Sequence, residues 1–218
     1  MVPQSEYRPT EYMQSWMRLW LDEGQRIDAA RLLLKKRLAI TVGAWDKNTS
    51  LWRQKIAIAD SAIQHFEAGI RNATRTSELL STEAAMAKKL YAMLANGFRV
   101  SEFSRQEGMG KVETVADTIN GMLDQGNYIA YGYAAVALHG LGISFALPLL
   151  HGKTRRGALV FDIADLIKDA LVMPCAFEFG SRQAKQNEFR AALIDRMQQA
   201  NVLDLLFTFV QDVCKKYQ

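Results

Sequence analysis

The chain has 218 residues, of which 49% are hydrophobic and 23% charged, so disordered, collagen-like and low-complexity proteins are excluded. The formal net charge of +4 permits a nucleic-acid partner without requiring one. Its two cysteines, Cys175 and Cys214, lie far from any other Cys or His at metal-ligand spacing. The cysteine content therefore argues against a disulfide scaffold or a zinc ribbon and favours a cytoplasmic protein.

No membrane association is predicted, although one segment is long enough for a span. The N-terminus has neither a basic n-region nor an apolar core, so it is not a secretory signal. Residues 125–152 contain no Asp, Glu, Lys or Arg, but several glycines, Asn127, His139 and Pro148 interrupt them. We therefore predict a buried helix, a turn and a second buried segment there.

Helical spacing of apolar residues recurs along the chain, whereas alternating strand patterns are missing. Thr10 is expected to cap a first helix, whose apolar stripe continues to Leu38. A second predicted helix begins near Thr49 and runs as one element to Ile70. A third begins at Ser81 or Thr82 and ends at the pair Asn96-Gly97.

The second half of the chain is also expected to be helical, after an irregular stretch at 98–113. Pro174 is expected to close one of its helices. The predicted helices cover 115–125, 128–139, 158–172 and two segments within 187–216. Because no linker divides the sequence, we predict one all-α domain over residues 1–218.

Basic residues concentrate between Arg31 and Ile56, where seven of them stand against Asp46 alone. Such a run forms either a solvated helix face or a phosphate-binding surface, and the sequence leaves both open. The seven are Arg31, Lys35, Lys36, Arg37, Lys47, Arg53 and Lys55, and a second basic group comprises Lys153, Arg155 and Arg156.

Glu83 is the first candidate functional residue. On a helix it shares a face with Ala87, Leu90 and Leu94, so its carboxylate is expected to point toward the core. The alternative is that Glu83 lies in the first helical turn, where a negative charge interacts favourably with the helix dipole.

A second candidate site lies in the predicted helix 158–172, which is apolar almost all round. Asp162, Asp165 and Asp169 fall on one face of it, and buried carboxylates are costly unless they bind a cation or accept strong hydrogen bonds. His151 lies just upstream, and oxygen ligands with one imidazole suit Mg²⁺ or Mn²⁺. The alternative is a solvent-facing stripe of aspartates with a histidine hydrogen-bonded in a turn.

Four segments resemble the Cas1 family, the integrase and endonuclease of CRISPR adaptation, and most closely its type I-F branch. The resemblance extends over essentially the whole chain with the motifs in family order. The segments are SEYRPTEYMQSW, TEAAMAKKLY, LDQGNYIAYGYA and LHGKTRRGALVFDIADLIKDALVMPCAF.

The resemblance implies specific roles at these positions. Glu83, His151 and Asp165 are expected to bind Mg²⁺ or Mn²⁺, with Asp162 as a neighbouring catalytic carboxylate. Asn127, Tyr128 and Tyr131 match a segment packed near the site. The residues expected to contact DNA are Lys153, Arg155, Arg156 and Lys168.

The implied function is a metal-dependent DNA endonuclease and integrase. It would join 3′-hydroxyl ends of short DNA fragments into the CRISPR repeat and cut branched DNA. Implied partners are double-stranded or branched DNA, a second copy of the chain and the Cas2 subunit, which in type I-F is fused to a helicase-nuclease. Two alternatives stay open, a catalytically silent DNA-binding helical lobe and a helical bundle that docks a protein partner.

The sequence departs from the family pattern at its start. Family members begin with a β-rich N-terminal domain that is their main dimerisation element, whereas helical spacing begins here near Thr10. The resemblance therefore implies the catalytic lobe without that domain, which puts the homodimer in doubt.

Overall fold

The computed structural model describes residues 10–108, 112–152 and 156–217, which form helices and connecting loops without any strand. This confirms the predicted all-α fold. The helices are α1 (Glu11–Leu21), α2 (Glu23–Asp46), α3 (Thr49–Arg53), α4 (Asp60–Asn72), α5 (Thr76–Gly97), α6 (Val115–Gly140), α7 (Ala158–Ile167), a π-helical segment (Lys168–Val172), α8 (Met173–Ser181), α9 (Gln186–Gln199) and α10 (Val202–Lys216).

Side-chain caps define the predicted start of α1 and a break at Asp22 that was not predicted. The Thr10 side chain accepts a hydrogen bond from the Met13 N–H and caps α1. Asp22 then interrupts the apolar stripe, because its extended backbone ends α1 while its carboxylate caps α2. The two predicted C-terminal helices are confirmed as α9 and α10.

The predicted single helix from Thr49 to Ile70 is wrong. The structure breaks it into α3 and α4, and Lys55 in the connection has a φ of 56°. Ile56 and Ile58 are buried at alternate positions of this extended connection. Ile56, which fell on the predicted helical face, is therefore buried from a non-helical connection instead.

Helix α5 begins at Thr76, earlier than predicted, and ends at Gly97 as predicted. The Glu78 carboxylate accepts hydrogen bonds from the backbone N–H groups of Thr74 and Arg75, which stabilises the new start. Glu83 consequently lies two turns inside the helix. Its interpretation as a first-turn charge is therefore wrong.

Two further boundaries differ from expectation. The predicted break near Gly126 is absent, and α6 is one continuous helix. A Cβ at position 126 would lie 2.5 Å from Val172 Cγ1, so this glycine serves close helix packing and not a turn. Pro174 does not close a helix, because the backbone stays helical from the π-helical segment into α8, where Pro174 is the second residue.

The core surrounds α6, which packs against α7, α8, α9 and α10. Helix α2 packs across α7 and the π-helical segment, and Trp45 Nε1 donates a hydrogen bond to the Asp169 carbonyl. Cys175 and Cys214 are free and buried. Within the described ranges, no helix has both the length and the apolar character needed to cross a bilayer.

Candidate active site

The three aspartates after Gly157 lie inside the protein. Asp162 and Asp169 are 0% exposed and Asp165 is 3% exposed. The interpretation as a solvent-facing stripe is therefore wrong, and each carboxylate needs a partner for its buried charge.

One arginine provides much of that partnership. Arg37 on α2 is 2% exposed, and its Nε lies 2.6 Å from Asp169 Oδ2. Its Nη1 lies 2.7 Å from Glu83 Oε1 and 3.6 Å from Asp165 Oδ2. A single buried guanidinium therefore joins α2, α5, α7 and the π-helical segment.

Sequence reasoning missed this role, because it counted Arg37 within the surface-charge run. The periodicity of α2 carried the signal, since Arg37 falls on the helix face that turns inward. The buried residues of that face include Ala30, Leu34, Arg37, Thr41 and Trp45.

Asp162 organises the loop that precedes α7. Its Oδ2 accepts hydrogen bonds from the backbone N–H groups of Leu149 (2.6 Å) and Leu150 (3.1 Å). Its Oδ1 accepts the backbone N–H of His151 at 3.1 Å and lies 2.6 Å from His151 Nδ1. Because a carboxylate only accepts, Nδ1 carries the hydrogen, and Nε2 is the nitrogen left to act as a ligand.

The electrostatics link His151 to the rest of the cluster. The hydrogen bond to Asp162 raises the pKa of His151, burial opposes this, and the charges of Asp162, Asp165 and Glu83 add to the increase. Burial alone would raise the pKa of Asp165, but the charges of Lys168, Arg37 and His151 outweigh it and hold that pKa below its ordinary value.

Lys168 points toward the cluster. Its Nζ lies 2.6 Å from Asp165 Oδ1 and 5.5 Å from the ring centroid of Tyr131. Tyr131 in turn packs edge-to-face on Phe161 at 4.7 Å and on Tyr128 at 6.1 Å. The predicted proximity of this tyrosine segment to the site is thus observed, whereas DNA contact by Lys168 stays a prediction.

The predicted ligands fit a hard divalent cation by their chemistry, since they offer two carboxylates and one imidazole. Glu83 and Asp165 both approach Arg37 Nη1, so their carboxylates converge on one cationic position. Among the described residues, however, no three His, Cys, Asp or Glu side chains are arranged to hold an ion. Arg37 and Lys168 already neutralise oxygen atoms of these carboxylates.

The predicted DNA-contacting residues are only partly in view. Lys153 and Arg155 lie outside the described residues, and Arg156 is exposed just before α7. Within the run from Arg31 to Ile56, Lys47 and Arg53 are exposed and line a cavity of about 470 Å³ together with Arg196. Phosphate binding by the exposed part of the run stays a prediction, and the buried Arg37 is not available for it.

The helical fold of the described residues has counterparts among known proteins. The family model described as "CRISPR associated protein Cas1" matches residues 2–198. The chain belongs to this family, as its motifs suggested. Membership of the type I-F branch stays a prediction from the sequence motifs.

Two curated relatives, both named "CRISPR-associated endonuclease Cas1", come from Pseudomonas aeruginosa and Pectobacterium atrosepticum. The first is 40% identical over 99% of this chain and 67% of its own length. The second is 39% identical over 98% of this chain and 66% of its own length. The chain thus spans about two thirds of the length of these relatives.

The fold also matches a solved structure titled "Crystal structure of TtCas1-DNA complex". The TM-score is 0.68 at 21% sequence identity, over 94% of this chain and 64% of the other. At 21% identity the match shows a shared helical fold and does not by itself indicate a shared activity.

Proposed function

We propose that this chain is the catalytic lobe of a divalent-metal-dependent DNA endonuclease and integrase of CRISPR adaptation. It joins 3′-hydroxyl ends of short DNA fragments into the CRISPR repeat and cuts branched DNA. One observation carries the proposal: Glu83 from α5 and Asp165 from α7 direct their carboxylates to the same buried cationic nitrogen. The family membership and the endonuclease names of the curated relatives support it.

Glu83, His151 and Asp165 would hold Mg²⁺ or Mn²⁺. When bound, the ion polarises a scissile phosphate and lowers the pKa of an attacking hydroxyl or water. Asp162 acts through His151, because it fixes the tautomer and the ring orientation that leave Nε2 available. It is a positioning carboxylate in this scheme and not a ligand.

The surrounding residues would bind and orient DNA. Arg156 is exposed beside the start of α7, and Lys153 and Arg155 precede it in the sequence. Together with Lys47 and Arg53 they offer positive charge to the phosphate backbone, which contributes affinity without reading the base sequence. The DNA complex formed by the structurally similar TtCas1 supports a DNA partner.

We also propose where the enzyme acts and with which partner. The whole chain acts as one helical domain in the cytoplasm. It works with the Cas2 subunit, which in type I-F is fused to a helicase-nuclease, as the sequence resemblance implies.

A catalytically silent DNA-binding lobe is the second candidate. The favouring observation is that no described His, Cys, Asp or Glu triad is already arranged around an ion position. Such a lobe would bind DNA in a salt-sensitive manner without needing Glu83.

A cleavage assay on branched DNA separates the two candidates. The chain would be incubated with Mn²⁺, with Mg²⁺ and with a chelator, beside the variants His151→Ala and His139→Ala. His139 is a matched control because it is exposed at the end of α6. Metal-dependent cutting that is lost only in His151→Ala supports the nuclease. Intact DNA binding without cutting in any protein supports the silent lobe.

A further inference from the structure

Arg37 contacts all three carboxylates of the acidic cluster, those of Glu83, Asp165 and Asp169. We propose that Arg37 is a positioning residue of the metal centre, which holds Glu83 and Asp165 side by side for the ion. This inference rests on the proposed function, because it assigns a task to Arg37 only if Glu83 and Asp165 are ligands.

The planar guanidinium of Arg37 contacts Asp169 through one nitrogen and both Glu83 and Asp165 through another. Nε is directed to Asp169 Oδ2 at 2.6 Å, while Nη1 faces Glu83 Oε1 at 2.7 Å and Asp165 Oδ2 at 3.6 Å. Asp169 is fully buried, and its backbone carbonyl accepts the Trp45 indole N–H from the same helix α2. Asp169 therefore anchors the guanidinium, and the anchored guanidinium aligns the two ligands.

The pattern of occupied oxygens leaves room for an ion. Glu83 contacts Arg37 through Oε1, and Asp165 contacts Lys168 through Oδ1. Oε2 of Glu83 is thus uncommitted among the described residues, and Oδ2 of Asp165 has only the 3.6 Å contact with Arg37. Glu83 and Asp165 each make their short ion-pair contact through one oxygen, and the other oxygen is available for coordination.

The charge of the cluster also favours a cation. Two buried or half-buried cations, Arg37 and Lys168, face three carboxylates, Glu83, Asp165 and Asp169. These five groups carry a net charge of −1, and the pair of Asp162 with His151 adds no positive charge when His151 binds an ion as the neutral imidazole. Arg37 therefore brings the carboxylates together without cancelling the attraction for a divalent ion.

The opposite role would be competition, in which Arg37 occupies the place of the ion. The two roles predict opposite signs for one measurement. If Arg37 positions the ligands, replacing it by an uncharged residue weakens metal binding. If Arg37 competes, the same replacement strengthens metal binding.

The test is Mn²⁺ titration of the full chain, with free Mn²⁺ followed by electron paramagnetic resonance and the Mn²⁺-induced change in Tm as a second readout. We expect Arg37→Gln to weaken Mn²⁺ affinity by about 10-fold, within the range for residues that orient metal ligands. Arg37→Lys keeps the charge but not the two directions of contact, so it should recover part of the loss.

Two further variants test whether the effect is specific to Arg37 and whether the protein stays folded without it. Arg31→Gln removes the same charge from the same helix, where Arg31 contacts the Ala73 carbonyl away from the cluster, and should leave Mn²⁺ affinity unchanged. Arg37→Gln/Asp169→Asn removes the arginine with its anchoring anion. It keeps the charge balance of the interior and should remain folded with the same loss of affinity.

The outcomes separate this inference from the proposed function. Unchanged or tighter Mn²⁺ binding by the Arg37 variants, with normal binding by the unsubstituted chain, overturns the positioning role alone. An unsubstituted chain that binds no Mn²⁺ overturns the metal centre itself and the role of Arg37 with it.

Discussion

His151 Nδ1 lies 2.6 Å from Asp162 Oδ1, and the same carboxylate accepts the backbone N–H groups of residues 149–151. The orientation of the imidazole and the conformation of the loop before α7 therefore depend on one buried group. A side chain that only accepts hydrogen bonds is required there, because all of its neighbours donate.

Asp162→Asn should disturb both features, since an amide replaces one acceptor oxygen by an NH₂ group that faces donors. We expect a loss of about 2 kcal/mol in unfolding free energy, measured by urea denaturation. NMR of the His151 ring should show a weaker preference for the Nδ1–H tautomer. Asp195→Asn is the control, because Asp195 is exposed and accepts a hydrogen bond from the Gln199 side chain away from the loop. Equal stability of the two variants would contradict this account of the loop.

Gly126 and Gly132 on the same helix should respond oppositely to alanine. A Cβ at 126 would lie 2.5 Å from Val172 Cγ1, so Gly126→Ala should cost about 1–3 kcal/mol through overpacking. A Cβ at 132 meets nothing within 4 Å, so Gly132→Ala should stabilise by about 0.5–1 kcal/mol through helix propensity. Thermal and urea unfolding measure both. Stabilisation by both substitutions would show that α6 has room at 126.

The contrast between these glycines explains what the sequence could and could not predict. The Thr10 cap and the outer limits of the α9–α10 pair depend on neighbouring residues, and both agree with the sequence prediction. The prediction of a break at Gly126 is wrong, because this glycine leaves space for the Val172 side chain, which is distant in the chain. Sequence periodicity carries helix signals but not the identity of the residue packed opposite.

In the candidate site, too, some residues were predictable from the sequence and others were not. The apolar sequence around Asp165 and the helix face shared by Glu83 and Leu90 indicated buried carboxylates, and burial of Asp165 is observed. Arg37 was counted as surface charge, because a local count of charges does not reveal which long side chain enters the core. The hydrogen bond between His151 and Asp162 required the folded loop to be seen.

Acid should destabilise the protein partly through two helix caps. Hydrogen bonds from the Thr74 backbone lower the pKa of Glu78, and hydrogen bonds led by the Thr114 side chain lower that of Asp117. Because both folded pKa values lie below the ordinary values of these side chains, the stabilisation is fully present above those ordinary values. It is lost as the pH falls through the lower, folded pKa values.

The variant Glu78→Gln/Asp117→Asn should therefore have a lower Tm than the unsubstituted chain near neutral pH, with the difference shrinking toward about pH 3. Calorimetric or circular-dichroism melting over this range provides the measurement. Glu67→Gln/Asp212→Asn, at two exposed positions, is the matched control and should show a constant offset. A constant offset for the cap variant as well would assign the acid sensitivity to other groups.

DNA binding should depend on the exposed part of the basic run. Lys47 and Arg53 line the same cavity as Arg196. If each neutralises one phosphate, Lys47→Ala/Arg53→Ala should reduce the slope of log affinity against log salt by about 2. Fluorescence anisotropy with branched DNA at several salt concentrations measures this slope.

Lys88→Ala/Lys89→Ala removes the same total charge from exposed positions on α5 and is the matched control. A long-range effect of net charge would lower the affinity of both double variants equally, because it does not depend on which lysines are lost. Direct phosphate contact instead predicts that only the variant in the basic run changes the slope. A slope change shared by both variants would therefore exclude the 47–53 segment as a specific phosphate-binding surface.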